Sequence, residues 1–296
     1  MNWESPEITA LIHAALDEDL GPAESPHRRG DSDATTVAVV PQYEPAQATL
    51  LARRELVLAG LPLAERIFRE LDPSIRFREK FQDGQDVPAG AVVAELKGRA
   101  RAILTAERTA LNFLARLSGI ASETRRYVSA IAGTRARIRD TRKTTPLLRA
   151  LEKYAVVAGG GANHRFGLFD AVLIKENHIA VAGSVAAALR RAQSVSAAGN
   201  SVLPVQIEVR NEAELNEALA AGAAAVLLDN VSPAEAERLV RLVRSKSAEC
   251  VVEVSGGVTL ASVRACAESG CDFIAVGALT HSAPAADFSL LFEPRA

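Results

Sequence analysis

The feature that most constrains this chain is a change of rhythm at Gly133. From there on, short β-rich runs alternate with helical segments. The runs are Arg137–Asp140, Ala171–Ile174, Val205–Val209, Ala224–Leu228, Val251–Val254 and Phe273–Val276. Between them lie Leu147–Ala158, Val185–Ala197, Glu212–Ala221, Pro233–Val243 and Leu260–Glu268. Strict alternation of this kind builds a parallel sheet through right-handed crossovers. Six such runs predict an α/β barrel, open or closed, with a doubly wound sheet as the alternative.

The half before Gly133 reads differently. Ser5 is placed to cap a first helix, Pro6 suits its first turn and Gly21 its end. Ile8, Leu11, Ile12, Ala15 and Leu16 then form its buried stripe, and His13, off that stripe, is expected in solvent. Ala48–Leu51, Ile75–Phe81, Ala91–Leu96 and Arg99–Leu104 read as strands around a helix near Leu63–Leu71, with turns at Asp83-Gly84 and Pro88-Ala89-Gly90. Strands that follow one another without regular helices between them predict an α+β domain. Two helices, Ala106–Leu117 and Ala121–Ala132, lead to Gly133, and Phe288–Phe292 is expected to return to the first domain as a strand. The expected division is residues 1–116 plus the tail 283–296, and residues 117–282.

Length and charge fit this picture. A chain of 296 residues suits two domains, or a barrel with one added. Lys and Arg total 34 against 36 Asp and Glu, a net charge of −2, so no broad nucleic-acid surface is expected and anions must be met by local clusters. Cys250, Cys266 and Cys271 have neither disulfide-framework nor zinc spacing and read as small buried side chains in a reduced compartment. The longest apolar run, Ala218 to Leu228, is broken by Gly222 and falls short of the ~18 residues that cross a bilayer. With Glu4, Pro6 and Glu7 in place of an export signal, a soluble cytoplasmic protein with no membrane partner is expected. His27, Arg28 and Arg29 read as an exposed loop cluster.

In a barrel the chemistry is expected at the C-terminal ends of the strands. Those ends carry Arg142 and Lys143, then Lys175, Glu208 and Arg210, Asp229, Ser255-Gly256-Gly257, and Gly277. His164 and Arg165 follow a triple glycine at 159–161, before the second strand. Lys175 and Glu208 are charges set in apolar strands, which demands partners or a ligand. Arg142, Lys143, His164, Arg165 and Lys175 suit a small polyanion, because guanidinium groups fork onto planar carboxylates or phosphates. Glu208 and Asp229 would lie opposite, able to hold Mg²⁺ or ribose hydroxyls, or simply to neutralise the cations. Gly256, Gly257 and Gly277 sit where barrels cradle a phosphate on backbone N–H groups. Ser255 has no histidine–carboxylate relay in the sequence and is not read as a nucleophile.

The strings Leu104-Thr-Ala-Glu-Arg108-Thr-Ala-Leu-Asn112-Phe, Leu117-Ser-Gly-Ile-Ala121, Asp140-Thr-Arg-Lys-Thr-Thr-Pro146, Gly160-Gly-Ala-Asn-His-Arg165, Leu173-Ile-Lys-Glu-Asn-His178, Leu228-Asp-Asn230 and Glu253-Val-Ser-Gly-Gly257 occur in this order. Together they resemble the quinolinate phosphoribosyltransferases, a family of type II phosphoribosyltransferases. The resemblance implies an N-terminal α/β sandwich domain and a C-terminal open α/β barrel of fewer than eight parallel strands. It implies a homodimer with shared active sites, in which Arg108 reaches into the partner's site. Arg142, His164, Arg165 and Lys175 would hold the quinolinate carboxylates. Lys143, Glu208 and Asp229 would meet phosphoribosyl pyrophosphate and its Mg²⁺, and Ser255, Gly256, Gly257 and Gly277 its 5′-phosphate. Lys143, Lys175, Glu208 and Asp229 are the residues the resemblance implies in catalysis. The implied reaction yields nicotinate mononucleotide, pyrophosphate and carbon dioxide. The final proton donor, Lys175 or His178, stays open. A related enzyme acting on another heteroaromatic acid, such as nicotinate, and a non-catalytic barrel sensing a phosphorylated metabolite are the competing readings.

Overall fold

The computed structural model describes residues 1–21, 32–198 and 203–293. The His27-Arg28-Arg29 cluster lies outside the described residues. Contacts divide the chain into two compact units, Met1–Ser122 with Ala283–Ala296, and Glu123–Ser282.

In the first unit, α1 (Pro6–Leu20) begins on Ser5, whose hydroxyl accepts the Ile8 N–H at 3.4 Å, and ends at Gly21 in the left-handed region (φ 78°). It buries Ile8, Ile12 and Leu16, one residue per turn along a single face. His13 lies off that face with its side chain 38% exposed, and its Nε2 is 2.6 Å from Glu70 Oε1, a hydrogen-bond partner far along the chain that periodicity could not reveal. A short α2 (Ala34–Val39), capped by Asp33, precedes β1 (Pro45–Ala52), β2 (Leu56–Val57), α3 (Leu61–Leu71), β3 (Arg76–Glu79), β4 (Asp86–Val87) and β5 (Val92–Arg99). A four-stranded antiparallel sheet runs in the order tail strand (Phe288–Phe292), β1, β5, β3, while β2 and β4 pair separately. Ala48, Leu50 and Ala52 of β1 are buried and alternate with less buried neighbours, so one sheet face is covered more fully than the other.

Two expectations fail at the end of this unit. Arg99–Leu104 is not a strand, and the two helices after it are one: α4 (Ala100–Ala130) runs unbroken for 31 residues. The Arg-Ala alternation at 99–102 imitates a strand. The buried Ile103, Ala106, Ala110, Leu114 and Leu117 repeat at three- and four-residue spacing and carry the helix back to Ala100. Gly119 does not break it. A Cβ there would sit 2.1 Å from the carbonyl oxygen of Pro284, so this glycine serves the close approach of the returning tail.

The second unit repeats strand and helix: β6 (Arg137–Arg139), α5 (Arg149–Ala158), β7 (Val172–Ile174), α6 (Glu176–Ala182), α7 (Val185–Ala198), β8 (Val205–Val209), α8 (Glu212–Ala220), β9 (Ala225–Asp229), α9 (Pro233–Lys246), β10 (Val251–Ser255), α10 (Val263–Glu268), β11 (Phe273–Ala275) and α11 (Ala278–His281). All six strands are parallel, in the order β6-β11-β10-β9-β8-β7. The edge strands β6 and β7 do not pair with each other, so the sheet is an open one. The edge of β6 is covered by Ala162, whose N–H donates to Ile138 O (2.8 Å) and whose carbonyl accepts from Asp140 N–H (3.1 Å). One strand face is apolar and buried: Ile138, Ile174, Ile207, Val226, Leu228, Val252, Val254 and Ile274. The alternate positions therefore face inward, and they are the ones that carry charge. No described helix is long and apolar enough to cross a membrane.

Candidate active site

A cavity of about 340 Å³ opens at the C-terminal ends of these strands. Arg142, Lys143, His164, Arg165, Lys175, Glu208, Asp229, Ser255 and Gly256 all line it, with Leu173, Leu227 and Ala275 as apolar wall. A larger groove, about 840 Å³, lies within the first unit beside Tyr43, Arg76, Lys97 and Arg99. Its size does not make it the site. None of the buried side-chain atoms left without a hydrogen bond among the described residues belongs to it, and Arg99 is held by Asp72 at 2.7 Å.

The smaller cavity has such atoms. Arg142 Nε and Arg165 Nε are both buried with no acceptor among the described residues. Native interiors rarely leave a donor idle, so a pair of them in one cavity marks the place of an anion. Arg165 is fixed by a bond from Nη1 to the Ala171 carbonyl (3.1 Å). Burial, and then the positive charge of Arg142, push the Arg165 guanidinium below its usual range.

His164 is held through its backbone N–H, its carbonyl and its Nδ1. Its N–H donates to Asp140 Oδ1 (2.7 Å), its carbonyl accepts from Lys153 Nζ (3.0 Å), and its Nδ1 accepts the Arg165 N–H (2.8 Å). Asp140 and Lys153 are themselves a buried ion pair at 2.6 Å. Burial pushes the imidazole below its usual range. Glu253 opposes this, while Arg139, Lys153 and Arg165 reinforce it.

The same cavity also holds two carboxylates, Glu208 and Asp229. Lys175 Nζ meets Glu208 Oε2 at 2.9 Å. Asp229 is pushed above the ordinary carboxylate range by burial and then by the negative charge of Glu208, against the pull of Lys175 and Lys143. Two carboxylates that repel in a half-buried wall are ready for a cation or for hydroxyl donors.

At the glycine end, Gly256 has φ 95° and a Cβ there would lie 2.7 Å from the Asn230 backbone nitrogen. Asn230 is itself left-handed (φ 56°) and donates its N–H to Ser255 O at 2.8 Å. The turn is thus wound tightly around backbone, as close approach to a phosphate requires. Gly257 and Gly277 flank this end without lining the cavity. A Cβ on Gly277 would come within 3.2 Å of both Lys143 Cδ and His281 Nε2.

Two expected residues lie elsewhere. Arg108 is exposed on α4, in the first unit, and His178 sits at the start of α6 with its Nδ1 accepting the Lys175 N–H at 2.9 Å. His178 does not line the cavity. Two polar lining residues, Thr141 and Glu253, carry no role read from the sequence. Glu253 was legible in principle: it is an acid within Val-Val-Glu-Val-Ser, two residues before Ser255 and so on the same inward face.

Comparison with known proteins agrees with the motif strings. The profile of the quinolinate phosphoribosyl transferase N-terminal domain matches residues 33–118, and that of the C-terminal domain residues 120–291. The chain is 44% identical over 244 residues to a probable nicotinate-nucleotide pyrophosphorylase (carboxylating) of Synechocystis sp., covering 82% of each chain. It is 41% identical over 261 residues to the Bacillus subtilis protein of the same description, covering 88% of each. The solved nicotinate-nucleotide pyrophosphorylase from Francisella tularensis superposes with a TM-score of 0.87 at 40% identity, covering 98% of each chain.

Proposed function

The chain belongs to the quinolinate phosphoribosyltransferase family, and from that premise we propose that the rim cavity is where quinolinate and phosphoribosyl pyrophosphate are joined. The enzyme is a decarboxylating phosphoribosyltransferase of NAD biosynthesis, giving nicotinate mononucleotide, pyrophosphate and carbon dioxide. The observation that carries the site assignment is the division of charge in one cavity. Two arginines with idle buried donors and two mutually repelling acids line the same cavity.

The residues act accordingly. Arg142 and Arg165 fork onto the two carboxylates of quinolinate, with His164 and Lys175 beside them. Positive charge builds on the ribose as its bond to pyrophosphate stretches, and Glu208 and Asp229 face that charge. Lys143 and the Ser255-Gly256-Gly257 turn, with Gly277, receive the phosphates. The pyridine nitrogen becomes cationic when it attacks, and this draws in the electrons left as the 2-carboxylate departs. Lys175 lines the cavity and His178 does not, so Lys175 is assigned the proton that completes the ring.

Glu208 and Asp229 fit a magnesium ion carried in by phosphoribosyl pyrophosphate, since their repulsion is relieved by a hard cation that takes oxygen ligands. No group of three or more metal-ligating side chains stands among the described residues, so substrate oxygens would complete its coordination. When bound it supplies charge neutralisation at the leaving pyrophosphate. We further propose a cytoplasmic homodimer in which Arg108 completes the partner's site; the exposure of Arg108 on α4 supports this.

The test supplies phosphoribosyl pyrophosphate, Mg²⁺ and either quinolinate or nicotinate. Equal amounts of carbon dioxide and nicotinate mononucleotide from quinolinate are expected. Turnover of nicotinate alone would remove the diacid assignment, because a mono-acid leaves one of the two arginine forks idle.

A further inference from the structure

One step below the rim, the inward positions of the parallel strands hold a second polar layer that the reaction above does not use. It consists of Arg139 on β6, Gln206 on β8 and Glu253 on β10. Glu253 is 0% exposed to solvent, yet it forms part of the cavity wall. Its Oε2 accepts from Arg139 Nη1 (2.8 Å) and Gln206 Nε2 (3.1 Å). Arg139 is held in turn against the ring of Phe273, with 3.6 Å from its guanidinium carbon to the ring centroid. The other oxygen, Oε1, has no hydrogen-bond partner among the described residues and faces His164 Nε2 at 3.5 Å. A buried carboxylate anchored through one oxygen and idle at the other calls for a reason beyond packing.

The ring of His164 supplies one. Its Nδ1 accepts the Arg165 N–H, and a nitrogen that accepts cannot also carry a hydrogen. The neutral imidazole therefore has its single N–H on Nε2, the atom that faces Glu253. Burial favours this neutral form.

We propose that Glu253 is a positioning residue for the diacid: it orients the His164 ring so that the Nε2 hydrogen is held between Glu253 Oε1 and the cavity, where a substrate carboxylate takes it. The inference rests on the cavity being the quinolinate site. The 3.5 Å separation is too long for a strong hydrogen bond, so the N–H is oriented without being engaged. Arg139 and Gln206 hold the carboxylate by its other oxygen and keep it from rotating onto the ring. Glu253 thus acts through His164 and makes no bond to the substrate itself.

Glu253→Gln tests this at nearly constant size. The amide has one accepting and one donating end. Arg139 and Gln206 claim its oxygen, which turns the NH₂ onto the Nε2 hydrogen of His164, donor against donor. The ring must then turn or move its hydrogen. The KM for quinolinate is expected to rise about tenfold, with kcat changed by a smaller factor and the KM for phosphoribosyl pyrophosphate little affected. Nitrogen NMR of the five labelled histidines, with His164 assigned by its loss in His164→Ala, is expected to show the Nε2–H form in the wild type and a displaced His164 pattern in Glu253→Gln. An unchanged quinolinate KM with unmoved His164 signals in a folded Glu253→Gln would overturn the proposal. So would a wild-type His164 that carries its hydrogen on Nδ1, a result that decides the matter even where the variant does not fold. If the wild type fails to turn over quinolinate, the substrate reading falls by itself: a displaced His164 ring in Glu253→Gln then still upholds the positioning role, and an unmoved one overturns it.

Discussion

The surroundings of Asp72 in the first unit and the rim cavity of the second handle buried charge in opposite ways. In the first, Asp72 is almost fully buried, and Arg99 Nε (2.7 Å), Ser74 Oγ (2.7 Å) and the Ser74 N–H (3.0 Å) all donate to it. In the second, Arg142, Arg165 and Glu253 each keep a buried polar atom without a partner, and all three line one cavity. Satisfied polar groups hold a scaffold together, whereas idle ones cost stability and persist where a ligand is to meet them. Arg244 and Ser269, away from the cavity lining, also keep a buried atom without a partner among the described residues, so it is the gathering of three such residues in one cavity, and not the size of that cavity, that sets the site apart.

The sharpest challenge to this comparison is Arg108, a first-unit residue expected to serve a site. Arg108→Ala is predicted to abolish turnover in a folded protein. Mixing it with Arg142→Ala should restore activity at about half the sites of mixed dimers, since each such dimer combines one intact Arg108 with one intact cavity. Steady-state rates of the mixture measure this, and no restoration would leave Arg108 in the frame.

Next comes a residue whose loss should harm activity and help stability. Asp229→Asn is expected to lower kcat by about 10²–10³-fold, as for other lost groups facing transition-state charge. Its folded-state pKa is raised, by burial first and Glu208 second, so ionising it above the unfolded value weakens the fold. The apo variant should therefore have a higher Tm than wild type at neutral pH and little difference in acid, as pH-dependent thermal melts would show.

The smallest effect belongs to the frame. Asp72→Asn should cost about 1–3 kcal/mol of stability while leaving the rate per folded molecule unchanged. Burial raises the Asp72 pKa, but Arg99 and Ser74 outweigh it and the net shift is downward. Its contribution is present above the unfolded carboxylate pKa, about 3.9, and disappears as pH falls through the lower folded value. Denaturant midpoints of wild type and variant should thus converge in strong acid and separate at neutral pH.

What could be read in the sequence follows from which contacts are local. Each parallel strand from Val172–Ile174 to Phe273–Ala275 carries its own apolar alternation and is followed by its own helix, so their limits were visible within a residue or so. The charges set inside them, Lys175 and Glu208, announced the rim. Local pattern misled where a distant partner decides. Gly119 lies inside a helix because the tail at Pro284 passes over it, and His13 is held by Glu70. The Arg139–Glu253–Gln206 layer has no local signal for the same reason, because its members come from three strands and acquire a common purpose only when the sheet brings them together.

The most direct test of the division of charge is calorimetric titration of quinolinate onto Arg165→Ala and Asp229→Asn, with turnover measured on the same samples. Arg165→Ala is expected to weaken quinolinate binding by about tenfold or more, while Asp229→Asn binds it close to normally and loses turnover. Equal loss of quinolinate affinity in the two variants would contradict this, because the arginines and the carboxylates of the cavity would then not have separate tasks.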